Sequence, residues 1–186
     1  MLLKRRPPRI DDRPAATKQG FEHLDPSALA VLRWLHANGV ELVLVGPVAE
    51  ALRGRTAARG PVSIVPAPYR RNLERLARAL ESAHATIRID GAGIDGGTDT
   101  TPTKVTAEKL ARSQLWTLRC GSHDLDIEAQ VDGVPGYQEL LYETTRFEPV
   151  AEVAVEVACP EDIEQYAHVR RTGLVPEIVI TRAAGP

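Results

Sequence analysis

Three short segments joined by glycines constrain this chain more than any other feature. Residues 40–46, VELVLVG, read as a buried strand running into Gly46. PVAEALRG follows as a short helix closed by Gly54, and VSIV at residues 62–65 is a second strand. Strands and helices continue to interleave after this point, which implies a mixed sheet with helices packed against it. At 186 residues the chain suffices for one substantial domain. Aromatic residues make up only 4% of it, so the core must rest on Leu, Val, Ile and Ala.

The helices carry clear punctuation. In DPSALAVLRWLHANG, Asp25 is placed to cap, Pro26 takes the first helical position and Gly39 ends the helix, while Ala28, Leu29, Leu32 and Leu35 supply the apolar stripe. In YRRNLERLARALESAHA, Leu73, Leu76, Ala77 and Leu80 fall on one face. Arg71, Arg75 and Arg78 form a basic row on another, read as a solvated face beside Glu74 and Glu81, with a phosphate-facing role as the alternative. IDGAGIDGGTDTTPT reads as a loop. AEKLARS (helix), LWTLRC (strand), a Gly121–Ser122 turn, HDLDIEAQ (strand), GYQELLYE (helix) and AEVAVEVA (strand) come next. A helix from Pro160 to Gly173 and a last strand, EIVI, complete the order. The expected fold is α/β of the α+β kind, a mixed sheet flanked by helices. Its strands near 41–45, 62–65 and 123–128 should be neighbours, with helices near 26–38 and 69–83 packed on them.

Charge divides the chain unevenly. Residues 1–14 hold Lys4, Arg5, Arg6, Arg9 and Arg13 against Asp11 and Asp12, a net +3, which leaves −5 on the remainder of a chain of formal charge −2. The expected organisation is a disordered basic tail over residues 1–20 and a single domain over 21–186. The body lacks the basic excess of a nucleic-acid binder. Cys120 and Cys159 belong to no ligand spacing and are expected as buried, reduced thiols. No apolar stretch approaches the ~18–20 residues that span a bilayer, and no apolar segment follows the basic N-terminus. No membrane association and a cytoplasmic location are therefore expected.

The run strand–VG–helix–G–strand–helix, followed by GSHDLDIE and then PGYQELL, resembles the minimal nucleotidyltransferase fold from about Leu24 to about Glu177. It is most similar to the stand-alone bacterial nucleotidyltransferases related to abortive-infection toxins. In that family a strand ends in two small residues that start a helix. A glycine and an Arg/Thr turn follow, then Asp-apolar-Asp on the next strand, and a third carboxylate sits on a later strand. Gly46 matches the first small residue, Ala49 and Gly54 the helix after it, and NLERLARAL the helix after the acidic strand. Asp126 matches the third carboxylate. The paired aspartates are missing: Pro61 and Ser63 stand in their places, and Pro47 replaces the second small residue.

These departures bear on chemistry. Nucleotidyl transfer needs Mg²⁺ ions that stabilise the attacking and leaving oxygens, and Mg²⁺ needs hard oxygen ligands. Pro61 offers no side-chain ligand and Ser63 only a neutral hydroxyl. Pro47 removes a backbone N–H from the phosphate cradle that the resemblance implies. The expected function is a binding or regulatory protein that has lost metal-dependent transfer and needs no cofactor. Its expected ligand is a weakly held nucleotide or RNA end, or a protein partner. Gly46, Pro47, Arg53, Arg55, Arg59 and Arg75 are the nucleotide-binding candidates. The alternatives are a transferase with a displaced Mg²⁺ site at Asp124, Asp126 and Glu128, with His123 or Ser63 as helpers, and a toxin–antitoxin type partner. No role is expected for His36, His84 or His168, and Trp34 and Trp116 are expected in the core.

Overall fold

The computed structural model describes Ile10 and residues 16–55, 60–87, 104–112 and 115–173. The expected loop at 89–103, the expected strand EIVI, Arg59 and most of the N-terminal tail lie outside the described residues. The element order is α1 (Pro26–Ala37), β1 (Leu42–Val45), α2 (Gly46–Leu52), β2 (Val62–Pro66), α3 (Arg70–Ser82) and β3 (Thr86–Ile87). Then come α4 (Ala107–Arg112), β4 (Leu115–Cys120), β5 (His123–Glu128), α5 (Tyr137–Leu140), β6 (Thr145–Val150), β7 (Val153–Val157) and α6 (Pro160–Thr172).

The strands form one mixed sheet in the order β3-β4-β5-β2-β1-β7-β6. β1 pairs antiparallel with β2 and parallel with β7, and β2 pairs parallel with β5. The expected neighbours 41–45, 62–65 and 123–128 are thus β1, β2 and β5, at the centre of the sheet. Covered on both faces, β2 is buried along its whole length, as its unbroken VSIV run requires.

The helices follow their sequence signals. Asp25 caps α1 by accepting a hydrogen bond from the Ser27 N–H at 2.8 Å. Leu29, Leu32, Trp34 and Leu35 are buried on its inner side. Leu73, Leu76, Ala79 and Leu80 do the same for α3, each leucine contributing about 1.5–3 kcal/mol of burial. Asn72 fastens the start of α3 to the chain entering β1: its amide donates to the carbonyls of Glu41 (2.8 Å) and Ala67 (3.0 Å) and accepts from the Glu41 N–H (2.8 Å). A polar side chain only 2% exposed is satisfied by these bonds.

The N-terminal segment departs from expectation. The expected tail reached residue 20, but Thr17 bridges Val150 and the Lys18 N–H donates to the Pro149 carbonyl at 3.0 Å. Lys18 also pairs with Glu148 at 2.7 Å, and Ile10 is buried in the core. β6 is an edge strand whose outer backbone groups need partners, and the segment supplies them. The strand β6 was likewise not among the expected strands; TRFEPV combines charges with a proline, which a ladder accepts only at its edge. Among the described residues, no helix is long and apolar enough to cross a membrane.

Candidate functional site

The site is built where β1 ends, β2 begins and β5 runs alongside. Gly46 closes β1 with φ of +70°, a conformation that side chains with a Cβ rarely adopt. A Cβ there would also lie 2.8 Å from Ser63 Oγ. Glycine is therefore required twice over, by backbone angle and by contact with β2. The next residue, Pro47, packs onto Gly60, where an added Cβ would meet Pro47 Cγ at 2.9 Å. The place where the resemblance implies a phosphate cradle is occupied by a proline ring against backbone.

Ser63 and Asp126 are register partners across the parallel β2–β5 pair. Strand alternation puts Asp124, Asp126 and Glu128 on the same face as Ser63. Ser63 and Asp126 are fully buried and Glu128 is 4% exposed. Buried carboxylates require a countercharge, and α6 supplies it. From the last turn of that helix the Arg170 guanidinium reaches all three residues. It donates to Asp126 Oδ2 in a short ion pair, to Glu128 Oε1 at 3.3 Å and to Ser63 Oγ at 3.4 Å. Burial pushes the Glu128 carboxyl up to about 7; the Arg170 charge opposes that rise and the neighbouring Asp126 adds to it. Beside this cluster, Tyr166 donates its hydroxyl to the Pro135 carbonyl at 2.7 Å, and burial raises its pKa above the ordinary phenol value.

The other predicted residues scatter. Asp124 does not join the cluster: Arg119, its cross-strand neighbour on β4, holds it with bonds of 2.9 and 3.3 Å. His123 points to the opposite face, where Nδ1 lies 2.6 Å from Ser27 Oγ of α1. Among the described residues, no three His, Cys, Asp or Glu side chains gather where they could hold a metal ion. Arg53 sits at the far end of α2, donating to the carbonyls of Ala158 (2.6 Å) and Val157 (3.0 Å) and to Thr145 Oγ1 (3.2 Å). Its guanidinium also lies 5.8 Å from the Phe147 ring centre. Arg75 holds the turn between α1 and β1 through the Gly39 carbonyl (2.8 Å) and Glu41 (3.2 Å). Both are occupied in joining elements of the fold. They do not converge with Gly46 and Pro47. Arg55 is exposed.

A cavity of about 430 Å³ opens between the starts of α1 and α2 and the entrances to β2 and β5, and none of Ser63, Asp126, Glu128 and Arg170 lines it. Its polar lining includes Glu22, His23, Asp25, Ser27, Ser122 and Asp124. Among the described residues its charged lining is Glu22, Asp25 and Asp124, with no Arg or Lys. Cys120 and Cys159 are free and buried, and burial pushes the Cys120 thiol up to about 12, with Asp124 adding to the effect.

No protein-family model matches the chain. No curated protein matches it either.

A divalent metal does not fit the side chains as they stand. Pro61 provides no donor, Ser63 provides a neutral one, and both carboxylates face a guanidinium that stays charged at any ordinary pH. Arg170 is the residue that sequence reading missed. A signal for it exists: it lies seven residues after Ile163 and four after Tyr166, both buried, so helical spacing carries it onto the inner face of α6. A cation on that stripe demands an anion across from it.

Proposed function

We propose that this chain is a binding or regulatory protein on a nucleotidyltransferase-like scaffold, and that it does not carry out metal-dependent nucleotidyl transfer. The observation that carries the reading is the Arg170 guanidinium, which bonds both Asp126 and Glu128 where transfer chemistry would need these oxygens free for Mg²⁺. The Pro61 and Ser63 replacements support it independently, because they remove the paired ligands on β2. Closure of the implied cradle by Pro47 on Gly60 removes the third requirement, donors for a triphosphate.

Binding is then the remaining use of the cleft. With Arg53 and Arg75 occupied elsewhere and acidic groups lining the cavity, nucleoside triphosphates should bind no more tightly than about 0.1–1 mM. The test is incubation of the protein with each labelled nucleoside triphosphate, in Mg²⁺ and in Mn²⁺, with protein, RNA and small hydroxyl or amine acceptors. No incorporation is expected. Robust incorporation that disappears in Asp126→Asn would overturn the reading in favour of a transferase with a rearranged site.

A further inference from the structure

We propose that Ser27 and His123 form a nucleophile–base pair in the wall of the 430 Å³ cavity, and that Ser27 accepts an acyl group there from an uncharged aryl ester or thioester. The inference goes beyond the proposed function and shares no residue with the Arg170 cluster.

The two residues stand 96 positions apart in the chain and meet because α1 packs against the start of β5. Strand parity turns His123 away from the face of Asp124 and Asp126 and toward that helix. Its side chain is buried, with Nδ1 2.6 Å from Ser27 Oγ, within the reach of a general base. On the other side of the ring, Nε2 lies 3.5 Å from Ser122 Oγ. With its proton on Nε2, directed at Ser122, the imidazole keeps the Nδ1 lone pair for the Ser27 hydroxyl. Ser27 and Ser122 line the cavity and His123 does not. A ligand in the cavity therefore meets the hydroxyl first, with the base behind it.

The backbone around Ser27 suits the same chemistry. Asp25 Oδ1 accepts the Ser27 N–H at 2.8 Å, which fixes the turn that carries the hydroxyl. Ala28 comes next, lines the cavity as well, and belongs to the first turn of α1, whose N–H groups have no partner within the helix. The partial positive charge at that end favours the negative charge that develops on a carbonyl oxygen when a neighbouring hydroxyl attacks it. Glu22, Asp25 and Asp124 also line the cavity and repel an anionic acyl group, so the donor is uncharged. Because His123 lies behind Ser27, a leaving group on the cavity side departs best as a stable anion, which selects phenolates and thiolates over amines.

In the step itself, Ser27 Oγ bonds to the acyl carbon while its proton passes to His123 Nδ1. The bond from that carbon to the leaving oxygen or sulfur breaks, and its electron pair leaves with the phenolate or thiolate. The proton on His123 is then returned to the departing anion or to water. Ser27 is left as an ester, and nothing is oxidised or reduced.

The test treats the folded protein with diisopropyl fluorophosphate, an uncharged reagent that forms an Oγ–P bond to activated serines with loss of fluoride. The readout is the mass of the tryptic peptide Gln19–Arg33, in which Ser27 is the single hydroxyl side chain. Wild type should be modified on this peptide, and His123→Gln should react at least about a hundredfold more slowly. An unmodified wild-type peptide overturns the proposal, as does a folded His123→Gln protein that reacts at the wild-type rate. Should His123→Gln fail to fold, acetylation of the same peptide by p-nitrophenyl acetate is compared between native wild type and wild type in 8 M urea. Acetylation in the native protein alone supports the pair, whereas equal acetylation in both states, or none in either, overturns it. Nucleotide incorporation is read separately, so failure of either proposal leaves the other standing.

Discussion

Replacing Glu128 by Gln should flatten the pH dependence of stability in a defined window. The native pKa of Glu128 is about 7, against an ordinary value of 4.5. Between these two values the folded protein keeps a proton at Glu128 that the unfolded chain has released. Proton binding by the native state alone means that stability falls as pH rises through this window, then levels off above it. At about 1.4 kcal/mol per pH unit, the loss approaches about 3 kcal/mol between pH 4.5 and 7. The cause is burial of a carboxyl 4% exposed beside the fully buried Asp126, with one guanidinium shared between them. Glutamine keeps the shape and cannot ionise. Urea denaturation of both proteins at half-unit steps from pH 4.5 to 8 gives the difference directly, with contributions from other groups cancelling. The stability of Glu128→Gln relative to wild type should rise by about 2–3 kcal/mol across the window. A constant difference, or one that falls with pH, would refute the reasoning.

Two further substitutions probe the frame of the site. Gly46→Ala combines a positive φ with a Cβ 2.8 Å from Ser63 Oγ, and should cost about 2–4 kcal/mol by chemical denaturation; a neutral effect would mean that β1 and β2 separate easily at this point. Arg53→Met removes donors from the Ala158 and Val157 carbonyls and should cost about 2–3 kcal/mol. Its affinity for ATP by calorimetry should stay within about twofold of wild type, and a loss beyond that would return Arg53 to the list of binding residues.

The central part of the sheet was legible because its signals are local. VELVLVG, VSIV and HDLDIEAQ are apolar or alternating runs bounded by turns, and Asp25 and Pro26 mark a helix start without ambiguity. Placing Ser63 beside Asp126 needed only the order of the strands, and the register bears it out. What was not legible depends on where long side chains travel. Arg53, Arg75 and Arg170 look equivalent in the sequence, as basic residues in or at the ends of helices. In the fold the first two bond backbone carbonyls across element junctions and the third enters the acidic cluster. Asp124 shares the parity of Asp126 and Glu128, yet a cross-strand arginine at position 119 claims it. Ile10 escaped notice because the charges around it mask one apolar residue that the core takes in.

The most direct test of the central claim is a crystal structure of the wild-type protein grown with Mn²⁺, with anomalous scattering used to locate the ion. The claim predicts the Arg170 guanidinium between Asp126 and Glu128, with no anomalous peak within bonding distance of either carboxylate. A Mn²⁺ peak bonded to Asp126, with Arg170 displaced from it, would contradict the claim.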